Sequence, residues 1–391
     1  MKRTFSFDAT RTTALVVAGT CLIAGTYGLV RLAYGLFLPD IRESVSMGSA
    51  VAGYVSSGAS AAYCLGALAG LLAPHRPRAL VVGALSTAAV GSTGMALAPG
   101  LAVFVPAAVL ASCGAGLASP GLVAVVARNV GRPHLDRGQA TVNAGTGPGL
   151  VGAGLLALLL PDWRAGFAVA AAFTAAAGVA VLLLDRHDPA ADDQPQPPTG
   201  LTDPRWLTDL AVPAAAAVLL GAASAATWTY GRTHLVEAGA STPLTVVAWI
   251  GIGVGGTLTV VTSGRLGALP PPRAWLVTAA TAALATAALG LGAGLPVLPV
   301  VACVVFGWGF VAASSALIAW TSALVPDRAA AGTSLLFIAL VVGQAAGSAV
   351  AGVLSGPIGL SGVFVVAAAV TAVAAGCSRA PSPRRSVPAG G

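Results

Sequence analysis

Three residues in this 391-residue chain put a charged or titratable group inside long apolar runs: Arg31, Arg232 and His234. A charge at the centre of a bilayer costs at least about 2.5 to 3.5 kcal/mol, so such a group is expected to face a cavity or a partner. Tyr27 and Tyr34 lie four residues before and three after Arg31, on the same face of a helix, and Trp228 lies four before Arg232. Two guanidiniums with aromatic walls suit an anionic or strongly hydrogen-bonding ligand whose apolar part the rings grip. The structural alternative has Arg31 bonding backbone carbonyls or a neighbouring helix, and Arg232 reaching outward along its stem. His234 suits proton exchange, since imidazole titrates at about 6.5. Asp40 and Glu237, acids at helix ends, are the other coupling candidates, and the alternative for His234 is a rim residue with no part in function. Asn143 and Gln344 are amides inside apolar runs, where such groups face protein or a water-filled cavity, and Trp308 is a further candidate for a cavity wall.

The composition excludes other chemistries. Lys2 is the only lysine, so neither a phosphate-cradling loop nor a Schiff base fits the body of the chain, and no ATP site is expected. The cysteines Cys21, Cys64, Cys113, Cys303 and Cys377 form no C-x-x-C pair and no metal-ligand spacing. They read as packing residues, with no metal and no cofactor. No H-E-x-x-H, nucleophile elbow or intramembrane carboxylate pair is present. A polytopic membrane enzyme acting on a lipophilic substrate through the arginines and His234 is therefore the alternative from another class. A sensor would need a soluble signalling domain, for which the tails and linker are too short.

The elements that must hold these residues follow from hydropathy. Hydrophobic residues make up 56% and charged residues 8%, with 50 glycines and 26 prolines, whereas soluble domains run near 25% charged. The lipid bilayer is thus the main partner. Apolar runs long enough to span it lie at about 13–38, 50–73, 79–98, 101–127, 139–160 and 165–184. Six more follow at about 207–236, 244–263, 274–293, 296–324, 332–355 and 361–378. The expectation is an all-α membrane protein with twelve transmembrane helices in two pseudo-symmetric six-helix bundles. The parts are an amino-terminal segment 1–12, a bundle 13–184, an acidic and proline-rich linker 185–205, a bundle 206–378 and a tail 379–391. Alternation of these spans puts 16 basic residues on the side of the amino terminus and two, Arg42 and Arg164, on the other. Cytoplasmic loops retain positive charge, so both termini are expected in the cytoplasm of a multi-pass protein of the cytoplasmic membrane. The net charge of +7 is then a topology signal and implies no nucleic acid. Met1 to Arg11 is polar and no cleavage pattern follows, so no cleaved signal peptide is expected.

The halves resemble each other: Ala24 to Pro39 aligns with Ser224 to Gly239, matching Arg31 to Arg232, and Gly147 and Gly152 match Gly347 and Gly352. At this level the chain resembles the major facilitator superfamily over nearly its whole length. The loop after the second span keeps Gly70, Arg76 and Arg78 of that family's G-x-x-x-D-R-x-G-R pattern, with Pro74 and His75 near where the acid belongs. The resemblance implies a gating latch at this loop, and the missing acid puts a standard latch in doubt. Arg265, Gly267 and Arg273 keep part of the same pattern in the second half. In the fifth span Gly147, Pro148 and Gly152 resemble the family's antiporter glycine-proline signature, and the alternative there is plain helix packing. The sixth span opens with Trp163, Arg164 and Phe167, like the family's W-R-x-x-F. What the resemblance implies is a monomeric secondary transporter that moves a small organic molecule by alternating access. Efflux of a drug-like or secondary-metabolite compound is expected, with protons as a candidate co-substrate. An organic-anion permease or facilitator is the alternative.

Overall fold

The computed structural model describes residues 2–73, 75–160, 162–186 and 205–379. Pro74, residues 187–204 of the expected linker and residues 380–391 of the expected tail lie outside the described residues. Among the described residues there is no strand, and eleven continuous helices are long and apolar enough to cross a membrane. They are α1 (Thr10–Ser44), α2 (Ser49–Leu72), α3 (Pro77–Ala96), α4 (Leu101–Asn129), α5 (Arg137–Leu159) and α6 (Trp163–Leu184), followed by α7 (Ala211–Glu237), α8 (Thr242–Gly267), α9 (Pro271–Gly292), α10 (Leu298–Leu324) and a final run, Ala331–Gly376. That last run is 46 residues long, more than twice what a bilayer requires. It breaks at Gly359, whose φ of 66° lies in the left-handed region, just after Pro357. The break divides it into α11 (331–358) and α12 (360–376), giving twelve spans in two six-helix bundles.

The first span is longer than hydropathy implies, because α1 continues past its apolar part to carry Asp40 and Arg42 on its last turns. Its start lies beside the end of α6, where Arg11 Nε donates to the Leu184 carbonyl at 3.1 Å. We call this face, shared with the linker, the amino-terminal side, and the opposite face the far side.

Small residues bring the helices close where no hydrophobic effect separates protein from lipid. On α11, Gly343 and Gly347 are spaced as in G-x-x-x-G and lie against the α7 backbone at Val218 and Ala222. At the crossing of α1 with α7, Gly35 lies against the Trp228 carbonyl, and a Cβ there would also stand 3.0 Å from the Trp249 ring. A side chain larger than hydrogen cannot occupy this point without parting the bundles. Large apolar side chains left exposed, such as Leu72, Leu183, Val261 and Leu291, stand on the outer surface as expected for contact with lipid.

Candidate functional site

Within α1 the segment Ala24–Leu32 winds as a π-helix, an irregularity frequent at functional sites, and it carries both Tyr27 and Arg31. Arg31 Nη2 donates to Gln344 Oε1 on α11 at 3.0 Å and to Ser60 Oγ on α2 at 3.3 Å. Its guanidinium carbon sits 4.8 Å from the centre of the Tyr63 ring, a cation–π distance. Its Nε–H is buried with no acceptor in the protein. The Tyr27 hydroxyl lies 3.0 Å from both the Tyr63 hydroxyl and Ser119 Oγ, so the two rings, edge to face, stand as one braced unit.

Arg31, Gln344 and Trp228 separate two spaces between the bundles. The larger, about 290 Å³, runs from the middle of the protein into its amino-terminal-side half. Its wall contains Tyr27, Arg31, Asn143, Gly147, Pro148, Trp228 and Gln344, all singled out in the sequence. It also contains Tyr63, Thr146, Thr257, Thr259, Phe310, Ser314 and Phe337, which sequence reasoning passed over. The one discernible signal for Tyr63 was its hydroxyl in mid-span, which in lipid must find a partner. Among the described residues Arg31 is the single charged one in this wall, and no carboxylate lines it. The smaller space, about 40 Å³, lies on the far-side flank of the Arg31–Gln344 pair and is lined by Tyr34 and the hydroxyls of Ser56, Ser60, Ser112, Thr229 and Ser348. Tyr34 is braced there by its bond to the Ala52 carbonyl at 3.0 Å.

Towards the far side the bundles are in contact. Ser56 of α2, Thr229 of α7 and Ser348 of α11 form a hydroxyl triangle with sides of 2.9, 3.0 and 3.3 Å. Beyond it the Tyr230 hydroxyl donates to the Ser49 carbonyl at 2.8 Å. Arg232, buried on α7, reaches across to α1, where Nη1 donates to the Leu36 carbonyl at 2.7 Å and pairs with the Asp40 carboxylate. Its Nε donates to Thr245 Oγ1 at 3.2 Å within its own bundle. At the rim Arg42 pairs with Glu237 at 3.4 Å. Arg232, Asp40 and Glu237 thus stand together at the far-side closure, outside both spaces.

Other residues singled out in the sequence lie elsewhere. His234 is buried inside the second bundle, with Nε2 3.2 Å from the Leu289 carbonyl and its ring stacked on Phe364 at 4.7 Å. Trp308 Nε1 donates to Thr262 Oγ1 at 2.9 Å, tying α10 to α8. A Cβ at Gly152 would stand 3.4 Å from Leu29, Gly70 packs on Pro120 of α4, and the Arg76 side chain is exposed. Arg78 has the most informative surroundings. It pairs at 3.2 Å with Asp185, which also pairs with Arg128 and accepts from Asn129 Nδ2 at 2.7 Å. Asp185 was expected at the start of a solvated linker, yet its side chain is fully buried because three donors converge on it. Burial pushes this carboxyl up, but the hydrogen bonds from Arg128 and Asn129 and the charges of Arg128 and Arg78 outweigh that and hold it below its usual value. The loop lacking its own acid is therefore fastened by one from the end of α6.

Two six-helix bundles that meet face to face, with a cavity between them, closed on one side, define a multi-pass membrane transporter fold. The profile of the Major Facilitator Superfamily matches residues 20–339, and the chain belongs to that family. No curated protein matches the sequence significantly. Solved structures share the fold at low identity. The nucleoside transporter NupG superposes with a TM-score of 0.77 at 16% identity, covering 95% of this chain and 98% of its own. A bacterial homologue of the human lysosomal transporter Spinster, inward-facing and unoccupied, gives 0.71 at 15% identity, with 95% and 96% covered. A POT family transporter in complex with 5-aminolevulinic acid gives 0.74 at 12%, with 93% and 94% covered.

Proposed function

We propose that this chain is a secondary transporter of the cytoplasmic membrane that carries a small organic molecule, bearing one anionic or strongly accepting group on an apolar body, by alternating access. The observation that carries the reading is the wall of the larger cavity: one guanidinium, hydroxyls and amides, aromatic rings and no carboxylate. Arg31 meets the accepting group, and Tyr27, Tyr63, Trp228 and Phe310 grip the rest. The bundles at 13–184 and 206–378 rock about this site. With the amino-terminal side taken as cytoplasmic, as the positive-inside distribution suggests, the cavity lies in the inward half and the bundle contacts in the outward half. We propose export as the direction, since Gly147 and Pro148 of the glycine-proline run line the cavity itself. Among the described residues the wall holds no carboxylate or histidine to take up a proton, so proton coupling would run through the far-side acids Asp40 and Glu237 or through the substrate's own proton.

Reconstitution in liposomes of defined orientation tests the reading. A panel of organic monoanions should include one that crosses unchanged in a protein-dependent manner and that Arg31→Gln abolishes. Transport unaffected by Arg31→Gln overturns the site. Chemical conversion of a ligand, in place of its movement, supports the membrane enzyme instead. Collapse of the proton gradient without effect on transport removes every proton-coupled version.

A further inference from the structure

Arg31 belongs to the first bundle and its acceptor Gln344 to the second, so their 3.0 Å hydrogen bond is a tie between halves placed at the cavity roof. Gln344 is 6% exposed, and its Nε2 lies 3.5 Å from Ser224 Oγ on α7, a contact that turns its oxygen towards the arginine. A carboxamide offers a guanidinium one neutral acceptor, whereas a carboxylate offers two charged ones in fork geometry. The Arg31 cation is also incompletely satisfied, because its Nε–H has no acceptor. A buried donor left in this condition carries a desolvation cost that a better partner offsets.

We propose that Gln344 is a stand-in ligand. It holds Arg31 in the empty carrier, an organic monocarboxylate displaces it from the guanidinium, and the exchange cuts a tie that keeps the far side shut. This rests on the cavity being the transport site. The substrate class follows from charge: one cation without a neighbouring acid is neutralised by a single negative charge, and a second would be buried unpaired. A neutral ligand gains nothing over the amide already in place. Gln344 therefore sets affinity by competition and links occupancy to the gate, since the displaced bond joined the bundles and the new one need engage only Arg31.

The test uses the full-length protein in lipid nanodiscs, benzoate and phenylacetate as probes, and spin labels on Glu43 and Ala238, exposed at the far-side ends of α1 and α7. Gln344→Met, close in length but without an acceptor, should bind benzoate about tenfold tighter than the unmodified protein. Without ligand it should already show the longer far-side distance that benzoate induces in the unmodified protein. Gln344→Glu, which fixes a carboxylate on Arg31, should weaken benzoate binding at least about tenfold and keep the distance short with or without benzoate. Matched melting temperatures for the variants establish that each is folded. Benzoate affinity unchanged in both variants overturns the competition. If the unmodified protein binds neither acid, the substrate class falls together with the cavity reading. The ligand-free distance in Gln344→Met then judges the tie alone, and a distance equal to that of the unmodified protein overturns it.

Discussion

Removing the Asp40 carboxylate while keeping its shape, by Asp40→Asn, should open the far side by an amount the structure bounds. Breaking one partner from a fully buried ion pair costs about 3–5 kcal/mol, and an exposed pair contributes about 0.2–1 kcal/mol. The Arg232 side chain is 4% exposed but that of Asp40 is 46% exposed, so solvent screens half the pair. Arg232 also retains the Leu36 carbonyl and Thr245 hydroxyl as acceptors. The loss is then about 1.5 kcal/mol, roughly a tenfold rise in the ratio of outward-open to outward-closed molecules. The Arg42–Glu237 pair on the same rim is a built-in contrast, with side chains 23% and 51% exposed. Glu237→Gln should change the ratio by about fivefold at most. Val55, 1% exposed and lining the smaller space, supplies the reporter as Val55→Cys in a background freed of the native cysteines. Its labelling rate with an impermeant maleimide added from the far side should rise about tenfold with Asp40→Asn. A rate within twofold of the parent, or an equal rise with Glu237→Gln, would refute the assignment of Arg232 and Asp40 as the dominant latch.

Arg31→Gln should weaken monocarboxylate binding by about thirtyfold, near 2 kcal/mol for a charge-assisted hydrogen bond, read by calorimetry on protein of unchanged melting temperature. Gly35→Leu has no room against the Trp228 carbonyl and should shift the far-side distance outward without ligand, measured between the labelled ends of α1 and α7. Asp185 gives a pH prediction. Its folded pKa lies below the usual 3.8, so its contribution is complete above that value and disappears as pH falls through the lower folded value. Melting temperature should therefore drop on acidification below about pH 4 in the parent, with Asp185→Asn less stable at neutral pH and flatter across this window.

The helix count, the bundles and the cavity wall around Arg31 were legible because each rests on an unusual cost. Twelve apolar runs have no other use than spanning lipid, and an arginine amid one of them must have partners. The same logic selected Arg232 and His234 without placing them. Arg232 stands about one turn beyond Trp228 of the cavity wall, at the closure with Asp40. His234 points into its own bundle, where Phe364 and a carbonyl satisfy it. Which side of a helix meets the partner bundle is decided by tertiary packing, and Trp308 illustrates it: one tryptophan among several, committed to Thr262. Asp185 was misplaced for the opposite reason. Its neighbours in sequence are acidic and polar, and only folding brings Arg78, Arg128 and Asn129 around it. The π-helical winding of Ala24–Leu32 had no sequence signal that we can identify.

The single unaccompanied cation in the cavity wall has an electrical consequence. With no acid to add or remove charge, a bound monoanion makes the occupied site neutral, and one negative charge crosses for each molecule moved. Moving one elementary charge through a membrane voltage of 100 mV is worth about 2.3 kcal/mol, close to a fiftyfold concentration ratio. A cytoplasm-negative voltage therefore drives such an anion outward unaided. Uptake against it would require a compensating charge, a cation entering with the anion or another anion leaving, and among the described residues the wall holds no carboxylate to receive a cation. Export of a lone monoanion, as proposed, would then need no coupling ion.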